Sequence, residues 1–420
     1  MCIRDSFYSG AIHDEIKSKT ITFFNDNPVT YTEAMKSGEW KSWQDAIKSE
    51  LKSMYDNDVW EYVDRPNKKV IDSRWLFRIK SDNNRPKYKA RLVIRGFKDT
   101  NNYDISDTYA PVARMNTVRI VFAIINRYNL DACQMDVKTA FLNGKISDDI
   151  YMEIPDGVNC PVERSKNKVC KLKKALYGLR ISPKCWNKTF SQAVRKLGFC
   201  SDLSEPCLFI WRSGPKIAIL LLYVDDMIIA SNDNKKLLET KKTLMSLFEM
   251  CDLGEPKIFL GMEIVRNRVA RTITIRQSKY TDKILERFQM TNSKPQPTPM
   301  VPRSNENKND KNEKVELNVP YREAIGSLLY LAGTTRPDIT YAVNIMSRQQ
   351  NSPTNEDWRR VKRIFRYLKG TRELGLTYSC KRKDLVLYTD ASFADNPGSK
   401  STAGYLITLF GDPVGWRSRK

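Results

Sequence analysis

A chain of 420 residues, 41% of them hydrophobic, has enough apolar material for two or three domains with cores, which excludes a disordered or fibrous polypeptide. Its 71 Lys and Arg against 49 Asp and Glu leave a formal charge of +22, so nucleic acid is the first partner to expect and an anionic membrane surface the second. One histidine, nine dispersed cysteines without a Cys-x-x-Cys pair, and no apolar run of about 18 residues argue against histidine catalysis, zinc and a membrane-spanning helix.

The thiols fit reduced cysteines in an intracellular protein, and carboxylates are left as the candidates for chemistry. Residues 1–6 fit poorly with the rest of the chain. They read as the translation of a transposase adapter used in library preparation, so they are set aside and the parent chain is expected to extend upstream. Residues 7–31 carry no pattern. From about residue 32 to 57, Trp43, Ile47, Leu51 and Met54 recur at helical spacing and predict one helix. Residues 60–63 and 70–80 read as strands, 81–86 as a turn, and 87–96 as a strand whose cations alternate with apolar side chains. One face of that strand suits phosphates; equally, its lysines suit a solvated edge.

An apolar helix is predicted over 118–128. A strand then delivers Asp136, the chain turns at Asn143-Gly144, and a strand resumes at 151–155. Residues 169–180 lead through Pro183 into a helix carrying Trp186, Phe190, Val194 and Leu197. Next comes the stretch from Ile217 to Ala230, two apolar runs flanking Asp225-Asp226. Each run is short and suited to a buried strand, so a tight turn would hold both aspartates at the tip of a hairpin. Two carboxylates so close to apolar strands repel each other and lose hydration, and a hard divalent cation such as Mg²⁺ relieves both problems. Taken alone, the pair also reads as an ordinary solvated turn; Asp136 upstream is what favours a metal site.

Further on come a strand over 272–276 and a helix near 280–288. Residues 291–320, rich in Pro, Asn, Lys and Glu, are predicted to be a mobile linker. Helices are expected at 321–331, 339–348 and 358–369. The last carries Arg359, Arg360, Lys362, Arg363, Arg366 and Lys369, which read as a nucleic-acid grip or as a solvated face. The last patterned stretches are residues 385–395 and 401–406.

An ordered series of motifs resembles the reverse transcriptase of a copia-type LTR retrotransposon Pol polyprotein. It comprises Lys89-Ala90-Arg91-Leu92-Val93, the run from Met135 through Asp136 to Gly144, Leu176-Tyr177-Gly178-Leu179, Tyr223-Val224-Asp225-Asp226-Met227, Asp252-Leu253-Gly254 and Phe259-Leu260-Gly261-Met262-Glu263-Ile264. The resemblance implies an α+β right-hand polymerase fold of fingers, palm and thumb, followed by an incomplete RNase H-like domain. Fingers and palm would span 32–265, thumb and connection 266–378, and the RNase H part 379–420. That last part would carry Asp390 as the first metal-ligand aspartate but lack RNase H activity.

It further implies RNA-directed DNA synthesis, in which a primer 3′-hydroxyl attacks a dNTP on an RNA or DNA template. Asp136 and Asp225 would hold two Mg²⁺ ions (Mn²⁺ being an alternative), with Asp226 in a lesser role and the Val137 carbonyl as a further ligand. Phe141, a core residue by composition alone, becomes the gate that excludes a 2′-hydroxyl. Lys89 and Arg91 are the triphosphate candidates, one strand leaving open which of them points at the ligand, and Gly178 joins the nucleotide site. Leu260, Gly261 and Met262 become the primer grip. Ile181 stands where the family usually has Gln, near the template pocket, which implies a missing polar contact.

The implied partners are an RNA template, a DNA primer, the RNA–DNA duplex, dNTP and the protease and integrase segments of a parent Pol polyprotein, with no membrane. The implied location is intracellular, in a cytoplasmic virus-like particle and the nucleus. Two other classes compete: a catalytically decayed remnant that only binds nucleic acid, and a phosphohydrolase using the Asp pair, which leaves the fingers and grip motifs unexplained.

Overall fold

Residues 217–230 are apolar at almost every position because both faces of the sheet they build are covered. In this computed structural model, which describes residues 27–82, 85–158, 167–301, 319–396 and 398–420, they form the two middle strands of a six-stranded antiparallel sheet. Its order is Met250–Gly254, Asp131–Val137, Asp226–Ser231, Lys216–Tyr223, Glu205–Ser213, Cys200–Asp202. Ile219, Leu221, Ile228 and Ala230 pack with the Met115–Arg127 helix on one face. Ala218, Leu220, Leu222, Met227 and Ile229 pack with the Ser182–Lys196 and Asn234–Leu247 helices on the other. Each large side chain buried this way contributes roughly 1.5–3 kcal/mol; because both faces are apolar, the register of the hairpin is set by its two-residue turn between Tyr223 and Asp226 rather than by polarity.

The adapter-like residues 1–6, the unpatterned stretch as far as residue 26, and residues 302–318 of the expected linker lie outside the described residues. The helix expected over 32–57 is two helices, Tyr31–Lys36 and Trp40–Asp56. The Ser37 hydroxyl donates to the Ala34 carbonyl at 2.9 Å and ends the first, and Gly38 lies in the break. The second helix buries Trp43, Ile47 and Met54 against the hairpin Ser73–Asp82 and Arg85–Ile94. Trp43 meets Phe77 and Tyr88 edge-on at 5.1 and 4.7 Å.

That hairpin joins the rest through a backbone seam. The Ile94 amide donates to the Tyr177 carbonyl at 2.9 Å. A Cβ on Gly178 would lie 2.0 Å from the Ile94 carbonyl oxygen, and one on Gly96 would lie 2.2 Å from the Gly178 oxygen. Gly178 also sits at φ +100°, a region closed to other residues without strain.

Four helices, Ser278–Arg287, Tyr321–Thr334, Thr340–Ser347 and Asn355–Gly370, share a separate core. The last is capped by a reciprocal Thr354–Asp357 box. Its cations are largely committed within the chain. Arg363 donates to Thr298, Arg366 to the Lys294 carbonyl and Lys369 to the Ser293 carbonyl, while Arg359 and Arg360 reach Glu356. The described part of the expected linker is therefore laid along this helix by charge-assisted hydrogen bonds rather than free, which its polar composition did not reveal.

The C-terminal sheet, Leu385–Asn396, Lys400–Leu409 and Asp412–Arg419, is bolted to both preceding units. Arg119, 2% exposed, donates to the carbonyls of Val414, Gly333 and Thr334 and to Asn116, and its guanidinium lies 3.8 Å from the Trp416 ring centroid. Burial pulls its pKa down to about 10, which still leaves it charged at neutral pH. The Trp416 indole donates to the Ala332 carbonyl at 2.7 Å. No described helix is long and apolar enough to cross a membrane.

Gly178→Ala is expected to lower unfolding stability by about 2–5 kcal/mol, combining backbone strain with overpacking. Gly38→Ala, with open space around it, should stay within about 1 kcal/mol of the parent. Denaturant unfolding checks both, and equal midpoints for the two variants would mean that the seam is not tight.

Candidate active site

Asp136 comes from the strand Asp131–Val137 and Asp226 from its neighbour Asp226–Ser231, and the register sets the two directly opposite each other. Directly opposed residues leave a sheet on the same face, with Cα atoms about 4.5–5.5 Å apart. The Val137 amide donates to the Asp225 carbonyl at 2.9 Å. All three aspartates therefore meet where the two strands end. Their arrangement differs from a hairpin tip holding both Asp225 and Asp226. Tyr223 pairs with Asp226, so the two-residue turn is Val224-Asp225, and Asp226 already belongs to the returning strand.

The turn is strained. Val224 has φ +59°, which a β-branched residue rarely adopts and which costs on the order of 1–3 kcal/mol. Two hydrogen bonds hold it there, Val137 N–H to Asp225 and Trp186 Nε1–H to the Val224 carbonyl at 2.6 Å. On the other side, the Lys138 amide donates to the Glu249 carbonyl at 3.0 Å, fixing the end of the Asp136 strand.

The donor set at this point is carboxylate and carbonyl oxygen, which suits Mg²⁺ or Mn²⁺ rather than zinc or copper. Among the described residues, no three His, Cys, Asp or Glu side chains form a ready-made metal cage. The backbone brings the three aspartates together while their carboxylates are not gathered on one point. The residues fit a divalent ion by donor chemistry and by chain position.

Next to the aspartates stands a tilted pair of aromatic rings. Phe141, 8% exposed in the turn Ala140–Asn143, meets the Tyr177 ring at 4.8 Å between centroids. The Arg91 guanidinium lies 4.2 Å from the Tyr177 centroid. Burial pushes the Tyr177 hydroxyl pKa up; Arg91 opposes this, and the charges of Asp225, Glu50 and Asp136 push it further up. Arg91 is thus in contact with this pair beside the aspartates. Lys89, two residues away on the same face, pairs in register with Arg78. Glu50 is buried beneath this strand. Desolvation raises its carboxyl pKa, and Arg91 and Lys89 oppose the rise.

Gly178 has a reason to be glycine that needs no ligand, namely its contact with Ile94. Ile181 is 4% exposed within the apolar cluster around Trp43, Leu92 and Leu176. Its side chain fills core rather than leaving a gap in a polar pocket. Leu260 and Gly261 form a two-residue turn between paired Phe259 and Met262. Asp390 lies apart from the other aspartates, exposed in the C-terminal sheet, where one carboxylate oxygen accepts from the Ala391 amide at 2.9 Å.

Tyr177, Trp186 and Glu50 are members of this site that the sequence alone did not single out. A buried indole needs an acceptor for its N–H, and that requirement was the available signal for Trp186.

A right-hand polymerase palm, with carboxylates at the ends of adjacent strands and a finger hairpin hinged beside them, is the class these features define. The family model described as reverse transcriptase (RNA-dependent DNA polymerase) matches residues 57–302, and the chain belongs to that family. Within it, the chain belongs with the copia-type retrotransposon Pol polyproteins. It is 37% identical over 402 residues to the retrovirus-related Pol polyprotein from transposon TNT 1-94 of Nicotiana tabacum, covering 93% of this chain and 30% of that protein. It is 35% identical over 404 residues to the one from transposon RE2 of Arabidopsis thaliana, covering 94% and 27%.

The chain thus spans under a third of the length of these plant relatives. A putative transposon Ty5-1 protein of Saccharomyces cerevisiae is 34% identical over 289 residues, covering 68% of this chain and 92% of that protein. Among solved structures, a foamy viral protease–reverse transcriptase in complex with double-stranded DNA matches with a TM-score of 0.46 and 12% identity, covering 90% of this chain and 56% of that one.

Trp186→Phe keeps a ring but removes the donor to Val224, and is expected to destabilise by about 1–3 kcal/mol. In a Val224→Gly background, where the left-handed turn is unstrained, the same change should cost measurably less. A double-mutant cycle by denaturant unfolding tests this. Strictly additive costs would mean that the indole does not hold the turn.

Proposed function

We propose that this chain carries out RNA-directed DNA synthesis, joining a dNTP to a primer 3′-hydroxyl on an RNA or DNA template. The observation that carries the reading is the pairing of Asp136 with Asp226, together with the Val137–Asp225 hydrogen bond, which draws carboxylates from distant segments to one place.

In this reading Asp136 and Asp225 hold two divalent ions, Mg²⁺ or Mn²⁺, with Asp226 and the Val137 carbonyl contributing. Bound there, the ions supply the positive charge that lowers the primer hydroxyl's pKa and stabilises the departing pyrophosphate oxygen. Arg91, already seated on Tyr177, takes the triphosphate, and Lys89 adds charge from the same face of the hairpin. Phe141, braced by Tyr177, backs the sugar and leaves no room for a 2′-hydroxyl. Gly178 lets the finger hairpin approach closely enough for this. The Leu260-Gly261 turn, with Met262, aims the primer end.

The excess of cations steers the RNA template, the DNA primer and their duplex onto the chain. The parent polyprotein brings protease and integrase segments, and the reaction proceeds in a cytoplasmic virus-like particle, with the nucleus as a further site. Asp390 marks the start of an RNase H unit but takes no part in synthesis.

Asp225→Asn should lower primer extension on an RNA template by on the order of 10²–10³-fold, because a metal ligand and its charge are lost at the reacting centre. Duplex affinity at fixed salt should hold, since it rests on Lys and Arg contacts with phosphates. Binding of Mn²⁺, read by water-proton relaxation, should weaken in the same variant. Full extension by Asp225→Asn would sink the assignment. Duplex binding without extension by either protein would establish the decayed, binding-only reading.

Phe141→Ala should admit ribonucleotides while still extending with deoxyribonucleotides. The ratio of kcat/KM for rNTP and dNTP measures it, and an unchanged ratio would remove Phe141 from the gate.

A further inference from the structure

The turn at Leu260-Gly261 has an unusual composition for its shape. Both central residues are left-handed, Leu260 at φ +51° and Gly261 at φ +77°, between the paired residues Phe259 and Met262. A two-residue turn of this hand suits the twist of a hairpin, and its first position usually takes Asn, Asp or Gly. Leucine there has neither the freedom of glycine nor a side chain that can bond its own backbone, so the turn needs support from elsewhere.

That support is visible. The base of the hairpin is anchored by Phe259 and Met262, both 0% exposed in the core of the central sheet. At its tip, the Leu260 carbonyl accepts a hydrogen bond from the Tyr330 hydroxyl at 2.9 Å. Tyr330 lies on the Tyr321–Thr334 helix, and its ring meets Tyr280 edge-on at 4.9 Å. This helix is fixed within a turn of Tyr330. Ala332 accepts from the Trp416 indole, and Gly333 and Thr334 accept from Arg119. Arg119 in turn stands on the Met115–Arg127 helix that underlies the aspartate-bearing sheet. The C-terminal turn of the Tyr321–Thr334 helix is therefore tied on one side to the helix beneath that sheet and, through Tyr330, to the tip of the turn on the other.

We propose that Tyr330 is a positioning residue for the primer 3′ end. Its hydroxyl holds the Leu260-Gly261 turn so that the Tyr321–Thr334 helix sets where the primer end stands relative to Asp136 and Asp225. The inference rests on the reading of residues 260–262 as the primer grip. It predicts that the hydroxyl acts on the rate of the reaction rather than on affinity, because Tyr330 meets the turn and not the nucleotide.

The test is Tyr330→Phe, which keeps the ring and its packing on Tyr280 and removes one oxygen. Two quantities are read on the full chain: backbone hydrogen exchange across residues 257–264, and single-nucleotide primer extension with separate kcat and KM. Amides of the turn should exchange faster than in the parent, with the strand Thr272–Arg276 unchanged. The kcat should fall about threefold to tenfold, the usual consequence of losing one hydrogen bond, while dNTP KM, duplex Kd and Tm stay within about twofold or a few degrees.

Unchanged exchange at the turn overturns the proposal whatever the activity. So does an unchanged kcat beside an active parent, and so does a general loss of Tm, KM and Kd together, which would mark Tyr330 as merely structural. A parent chain that extends no primer under any condition fails differently: it removes the polymerase reading itself, and the positioning role falls with it.

Discussion

The antiparallel register between Asp131–Val137 and Asp226–Ser231 is the constraint on which the rest depends. It sets Asp136 opposite Asp226 in a sheet whose two faces are both buried. A slip by one residue would exchange the side chains packed on the two faces and take Asp136 out of opposition to Asp226. The same pairing that builds the sheet therefore fixes where Asp136 and Asp226 stand. The strain at Val224 is tolerated because the Trp186 and Val137 hydrogen bonds over-determine the turn.

Around this point the other units act as holders. The finger hairpin reaches the aspartates through a seam of two glycines, and it brings Arg91 onto Tyr177 and Tyr177 onto Phe141. Thus the Arg91 guanidinium, the Tyr177 ring and the Phe141 ring form one contiguous row beside the aspartates. On the opposite flank, Arg119 is costly to bury, yet it receives acceptors from three separate elements and an aromatic face. It ties the central sheet's helix, the helical unit and the C-terminal sheet together.

Much of this was legible in the sequence, for physical reasons. An apolar run with no polar alternation announces a sheet covered on both faces, and Trp43, Ile47 and Met54 announce the buried side of their helix. The meeting of Asp136 with the Asp225-Asp226 pair was legible from motif order. What stayed hidden depends on partners distant in the chain. The break at residues 37–39 turns on one serine hydroxyl. The cations of the Asn355–Gly370 helix looked free for nucleic acid because nothing local revealed that residues 293–298 would lie along them. Ile181 looked like a lost polar contact and is a core side chain. Glu50 carries no signal of its own until the hairpin folds over it, and Tyr177 stood in a motif without its contacts with Arg91 and Phe141 being readable.

The central claim is that Asp136 and the Asp225-Asp226 turn share one divalent-ion site. Metal-directed backbone cleavage tests it without requiring any polymerisation. Fe²⁺ is substituted into the site and hydroxyl radicals are generated with ascorbate and peroxide, and the cut positions are mapped by mass spectrometry. The account predicts two clusters of cuts in the same molecules, one around residue 136 and one around 225–226, both suppressed by excess Mg²⁺ and lost in Asp225→Asn. Cuts at only one of the two segments, or cuts indifferent to Mg²⁺ and to the substitution, would contradict it.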